Sequence, residues 1–286
     1  MKVGFIGLGI MGSRMAANLQ KRGYEIIIHN RTKEKGKALL DQGADWANSP
    51  AELAGKVDCL FTMLSAPEIV MKMAFGPDGF LEGLKAETLW IDCSTVNPSF
   101  TLEMAAAAQK RKIRFMDAPA AGTKAPAESG DLVFFVGGDD SDVEECRPFL
   151  EAMGKKVIHL GPQGRASAMK MVFNMLLATS MNAFAEAMSL GQSLGFSQDQ
   201  LFNTLLGSQV VSPFISGKKE KMESGNFQTD FPLKLMQKDL HLATTTAYEN
   251  GAVLPMTNVV KELYALAVKN DLGEEDFSAI YKLLNQ

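Results

Sequence analysis

Cysteine is scarce: Cys59, Cys93 and Cys146 are the only three, far apart and without a C-x-x-C pair. That spacing argues against a disulfide framework and a zinc knuckle, and predicts structural thiols in a reducing compartment. Histidine is equally rare, with three in the chain and no metal-like cluster, so no metal is expected. Neither sign of charge dominates: 29 basic residues face 33 acidic ones, a net charge of −4, with no basic block. Nucleic acid and anionic membrane are therefore not expected as partners. Uninterrupted apolar runs of membrane-spanning length are missing too. Residues 171–190 approach the length of a membrane span, but Asn174, Asn182 and Glu186 interrupt them and no basic flank orients them. Such a helix is expected to lie buried between domains or subunits. The first residues superficially resemble a secretion signal, yet glycines and Arg14 break the apolar stretch. The expectation is a soluble cytoplasmic protein.

What is present is apolar patterning. With 286 residues, 46% of them apolar, the chain exceeds one ordinary α/β domain and predicts two. Residues 2–31 read as strand, glycine turn, helix and second strand: Val3, Phe5 and Ile6 are followed by Gly7, Gly9 and Gly12 in G-x-G-x-x-G spacing. Gly7 permits the turn, Gly9 keeps side chains away from a pyrophosphate, and Gly12 lets helix and strand approach. The helix start offers unpaired N–H groups and partial positive charge to phosphates. The turn residues Gly7, Gly9, Ile10, Met11 and Gly12 are thus candidate dinucleotide contacts. About twenty residues on, where an NAD site usually carries Asp or Glu, stand Asn30, Arg31 and Thr32. A guanidinium there suits a 2′-phosphate, which points to NADP(H). Lys33 and Lys35 add charge, but read first as the solvated start of a helix.

The pattern then repeats. A helix over 33–42, a short strand over 44–47 and a small helix over 50–54 are expected; apolar strands follow at 57–64, 88–93 and 113–118, with a helix over 98–110. Their turns carry Met63, Leu64 and Ser65, then Ser94, Thr95 and Val96, then Pro119 to Thr123. A parallel, doubly wound sheet brings such turns to one crevice. Residues 132–136 and 156–160 read as added strands around a helix over 141–153, and 123–130 (TKAPAESG) as an irregular loop suited to substrate. Beyond Gly161-Pro162 only helices are expected, at 164–194, 198–206, 213–223, 234–249, 256–270 and 275–284. The fold class is α/β: a Rossmann-like doubly wound sheet over 1–162, then an all-α domain over 163–286.

Lys170 and Asn174, four apart, share one face of the first long helix amid Met169, Met171, Val172, Phe173, Met175, Leu176 and Leu177. A desolvated lysine beside an amide is costly without a purpose and can act as general acid or base. Lys238-Asp239, by contrast, reads from spacing alone as an ordinary surface pair.

GLGIMG, DCSTV at 92–96, DAPAAGTKAPAESGDL at 117–132, GRASAMKMVFN at 164–174 and LKLMQKDL at 233–240 stand in an order and spacing that resemble the β-hydroxyacid dehydrogenase family across the whole chain. The nearest branch in look is that of glyoxylate/succinic semialdehyde reductases. The resemblance implies Lys170 as catalytic acid/base with Asn174 beside it, and Thr95 and Lys238 as cofactor contacts. It places the substrate near Ser94 and Thr95, its carboxylate on Ala121-Gly122-Thr123, and Phe231 and Asp239 over the crevice. Two departures stand out: Ala121 where the family usually has Ser, and Ala166 where it usually has Gly. Losing the hydroxyl removes a hydrogen bond worth about 1.5–3 kcal/mol to a charged acceptor. Implied overall is an NADPH-dependent reductase of succinic semialdehyde or glyoxylate that forms a homo-oligomer, dimer or tetramer. The alternatives are an NAD-dependent 3-hydroxyisobutyrate-type dehydrogenase and a non-catalytic dinucleotide sensor.

Overall fold

A computed structural model describes residues 1–285. By contacts the chain divides into two compact units, Met1–Lys170 and Met171 onward. In the first, strands β1 (Lys2–Ile6), β2 (Glu25–His29), β3 (Asp45–Trp46), β4 (Cys59–Thr62), β5 (Leu89–Asp92) and β6 (Arg114–Asp117) pair in parallel in the order β3-β2-β1-β4-β5-β6. This is the strand order of dinucleotide-binding sheets, whose ligand crevice opens where the winding reverses, beside β1. Both faces of the sheet are covered, which explains continuous apolar runs instead of alternation. Phe5, Met15, Leu19, Ile28 and Phe149 fill one face, and Ile27, Leu53, Leu60, Trp90 and Phe115 the other. Gly4 sits inside β1 because a Cβ there would come within 2.5 Å of Leu53 on the helix Pro50–Ala54.

Three expectations change. Residues 123–130 are not irregular: Lys124–Ser129 is a helix, ended by Gly130 at φ +79°. Its proline is tolerated because Pro126 falls in the first turn, where the absent N–H has no intrahelical partner to lose. Asn18, on the glycine-turn helix Gly12–Lys21, anchors the segment by donating to Ala127 O at 2.8 Å. Next, 132–136 and 156–160 do not extend the large sheet. As β8 (Leu132–Val136) and β9 (Gly154–His159), they join an unforeseen strand β7 (Ala120–Ala121) in a sheet of order β7-β8-β9, joined by the crossover helix Asp140–Met153. Two alanines are too short a run to show periodicity. Lastly, 33–42 splits into a 3-10 turn, Lys33–Gly36, and one α-turn, Lys37–Leu40; at the junction a Cβ on Gly36 would come within 3.0 Å of Ile28 and 3.4 Å of Trp46.

The second unit is helical, with Gln198–Leu205, Lys219–Ser224, Leu233–Glu249, Pro255–Ala267 and Ile280–Leu284. Its core gathers Met181, Phe184, Met188, Phe202, Met236, Leu240, Tyr264 and Phe277. Ser197 and Gln200 close a capping box at the start of Gln198–Leu205. A buried Asp276 carboxylate receives Lys218 Nζ at 2.9 Å and the Phe231 N–H at 3.2 Å, fixing the chain entering Leu233–Glu249. The long helix Arg165–Ser193 begins in the first unit and continues into the second. Among the described residues no helix is long and apolar enough to cross a membrane.

Candidate active site

The three glycines of the turn have three different reasons to be glycine. Gly7 adopts φ +102°, and a Cβ on it would lie 2.3 Å from Met63 O. A Cβ on Gly12 would lie 2.0 Å from Gly7 O, so only glycine lets the helix reach the strand end. A Cβ on Gly9 would meet nothing within 4 Å. The open space lies where a pyrophosphate would meet the helix N-terminus, so the turn fits a dinucleotide. Gly12→Ala should therefore cost about 1–3 kcal/mol of stability through overpacking, whereas Gly9→Val should keep the thermal midpoint and lose dinucleotide affinity. Equal thermal loss in both variants, read by calorimetry, would contradict this division of roles.

A cavity of about 250 Å³ continues from Gly7 and Gly9 past His29, Asn30, Arg31 and Thr32 to Met63, Leu64 and Ser65. Asn30 braces it: its Oδ1 accepts from the Leu8 N–H at 3.0 Å, and its Nδ2 donates to Thr32 O at 2.9 Å. Arg31 shares the rim with Lys35 and Lys72, and among the described residues no carboxylate lines the cavity. Lys72 comes from a separate helix, Pro67–Phe75, and nothing local in the sequence marks it. Lys33 goes elsewhere, its Nζ 5.4 Å over the Trp46 ring.

Side chains lock the neighbouring strand ends. Thr62 donates to Asp92 Oδ1 at 2.8 Å, the Ser94 N–H donates to the same oxygen, and the Leu64 N–H donates to Ser94 Oγ at 2.9 Å. Ser94 is only 1% exposed, so its hydroxyl is a tie between the β4 and β5 turns. Burial pushes the Asp92 carboxyl upward, against the hydrogen bonds from Ser94 and Thr62. Thr95 follows, partly exposed. Gly122 is exposed at φ +129°, and Thr123 precedes the helix Lys124–Ser129. Both departures from the family pattern, Ala121 and Ala166, pack in one apolar cluster with Phe135.

On the long helix, Lys170 is 7% exposed and Asn174, one turn on, 2%. In the second unit Asn174 Nδ2 donates to Asp239 Oδ2 at 2.6 Å, while Lys238 Nζ stands 2.8 Å from Asp239 Oδ1. Asp239 is 2% exposed, which corrects the reading of Lys238-Asp239 as a surface pair. Adjacent residues diverge around a helix, and here the Asp faces inward. Asn174 Oδ1 is buried and accepts no hydrogen bond among the described residues. Phe231 is partly buried, its ring 5.8 Å from that of Phe277. The three thiols are inert: all are buried, and burial raises Cys59 to about 12. Among the described residues no group of His, Cys, Asp or Glu could hold a metal.

Residues 2–161 match the family described as the NAD binding domain of 6-phosphogluconate dehydrogenase, and 164–284 that described as NAD-binding of NADP-dependent 3-hydroxyisobutyrate dehydrogenase. Over 284 residues the chain is 36% identical to glyoxylate/succinic semialdehyde reductase 2, chloroplastic, of Arabidopsis thaliana, covering 99% of this chain and 79% of that one. It belongs to the β-hydroxyacid dehydrogenase family. Its fold follows that of Mycobacterium tuberculosis 3-hydroxyisobutyrate dehydrogenase, solved with L-serine, at TM-score 0.89 and 31% identity over 100% and 99% of the two chains. The chain is also 36% identical to the cytokine-like nuclear factor N-PAC of Xenopus tropicalis, over 98% of its own length and 53% of that protein. As a β-hydroxyacid dehydrogenase it is an NAD(P)-binding oxidoreductase acting on CH–OH or aldehyde groups. Enzymes and a nuclear factor lie at equal identity, so substrate and cofactor choice must rest on the site.

Proposed function

We propose that this β-hydroxyacid dehydrogenase is an NADPH-dependent reductase of small carboxylate-bearing aldehydes, with succinic semialdehyde and glyoxylate as candidate substrates. The observation that carries the reading is Lys170, nearly buried with Asn174 one turn along the same helix. Gly7, Gly9, Ile10, Met11 and Gly12 would hold the pyrophosphate, Arg31 the 2′-phosphate, and Thr95 and Lys238 further parts of the cofactor. When bound, NADPH supplies hydride from nicotinamide C4. Lys170, as ammonium, donates its Nζ proton to the carbonyl oxygen as negative charge grows there, and is left neutral. Asn174 Oδ1 has lone pairs to accept from a hydroxyl or an ammonium. The Gly122 N–H and Thr123 hydroxyl take the substrate carboxylate in place of a residue-121 hydroxyl, and Phe231 and Asp239 complete the substrate-binding set.

NADPH consumption over a panel of short aldehyde acids tests the reading, with each acid's uncharged analogue beside it. Turnover of the acids and a large loss on the analogues is expected; no turnover of any acid would reject the substrate class. The second reading, oxidation of a 3-hydroxyisobutyrate-type acid with NAD, draws on the fold of the mycobacterial enzyme but meets no acidic residue at Arg31. Self-association belongs to the same proposal, with a second copy covering Val172 and Leu176, 55% and 63% exposed at adjacent positions of one helix face. Sedimentation should show a dimer or larger assembly, and a monomer at micromolar concentration would remove this part.

A further inference from the structure

Asp117 ends β6, and among the described contacts its carboxylate spends both oxygens on the start of the long helix. Oδ1 accepts the Gly164 N–H at 2.9 Å; Oδ2 accepts the Ser167 N–H at 2.7 Å and the Ser167 hydroxyl at 2.9 Å. Those N–H groups are orphans of a helix N-terminus, and a carboxylate there also meets the positive end of the helix dipole. Ser167 Oγ stands 2.8 Å from Thr101 Oγ1 on the helix Pro98–Gln109, so the cap is braced from two elements. Asp117 is held in turn by the backbone, its N–H donating to Gly137 O and its C=O accepting from the Gly137 N–H. A Cβ on Gly137 would fall 2.5 Å from Asp117 Oδ1, so only glycine at 137 leaves the carboxylate this place against the strand. All these groups lie in the first unit, as does Lys170.

Ser167 and Lys170 are three residues apart, one helical turn, and side chains at that spacing share a face. Clamping the N–H groups of Gly164 and Ser167 to the fixed end of a sheet strand sets both the rotation of the first turn and its position along the axis. Lys170 is carried on the next turn, so its Cα inherits both settings. We infer that Asp117 is the positioning residue of the general acid: it acts on catalysis only through the placement of Lys170. This inference rests on the reading of Lys170 as proton donor. A carboxylate buried to this degree would otherwise be a costly way to start a helix, since a neutral Ser or Asn serves as cap elsewhere.

The test is a double-mutant cycle on single-turnover reduction of succinic semialdehyde by NADPH, using the full chain. Asp117→Asn keeps size and shape but turns an NH₂ group toward N–H donors on one side of the cap. A displacement on the order of 1 Å can cost about 10²-fold, so Asp117→Asn should slow reduction by about that factor while the NADPH dissociation constant stays within twofold. In the Lys170→Ala background the same change should cost nothing further. An equal loss in both backgrounds, or no loss in the wild type, would overturn the inference. Should Asp117→Asn fail to fold, Ser167→Ala removes one of the three bonds and enters the same cycle, with a smaller loss expected that again vanishes without Lys170. The parent reading fails separately, if Lys170→Ala alone reduces succinic semialdehyde at the wild-type rate.

Discussion

Lys170→Ala should lower turnover roughly 10²–10⁴-fold, the range for loss of a positioned general acid. NADPH affinity should survive, since the glycine turn and the Arg31 rim lie at the ends of β1 and β2, far along the chain from residue 170. Lys170→Arg should rescue little: a guanidinium keeps the charge and the hydrogen-bond donors but does not release its proton near neutral pH. Near-normal turnover in Lys170→Arg would make the residue an electrostatic clamp and move the proton donor to water. Circular dichroism on Lys170→Ala separates chemistry from folding, and an unfolded variant would make Lys170 structural.

Arg31→Asp should weaken NADPH by about 10²-fold or more and leave NADH nearly unchanged. Each charge-assisted hydrogen bond to a phosphate is worth about 1.5–3 kcal/mol, and 1.4 kcal/mol is about tenfold in affinity. Exposure of the rim screens the contact, which sets the expectation at the low end of a bidentate pair. The new carboxylate adds repulsion of the 2′-phosphate and supplies the ribose-binding acid usual in NAD sites. Isothermal titration with both cofactors reads the difference. Equal losses would mean that Arg31 does not distinguish them and that Lys35 and Lys72 carry the phosphate instead.

The large sheet was legible because each parallel strand is a continuous apolar run ending in a polar turn, a signal that comes from burial on both faces. The burial of Lys170 and Asn174 was legible for the complementary reason, since both are polar at helical spacing in an apolar surround. What escaped depends on partners distant in sequence. Lys124–Ser129 looks like a loop until Asn18 is found donating to Ala127 O. Asp239 looks exposed until Asn174, 65 residues earlier, is seen to hold it. Ser94 sits among candidate substrate contacts by position, yet its hydroxyl ties down Leu64. Asp117 reads as an ordinary strand-end acid until the N–H groups of Gly164 and Ser167 are seen to converge on it. Local pattern reports burial well, but not which polar groups meet.

The most direct measurement follows a label. With NADPH deuterated at the transferable C4 position and succinic semialdehyde as substrate, product formation and label position can be read together by mass spectrometry. A reductase of the kind proposed yields 4-hydroxybutyrate with deuterium on the carbon that bears the new hydroxyl, in amounts equal to the NADP⁺ formed. Tight NADPH binding with no deuterium reaching this or any other short aldehyde acid would contradict the account and leave a dinucleotide-binding protein without the proposed activity.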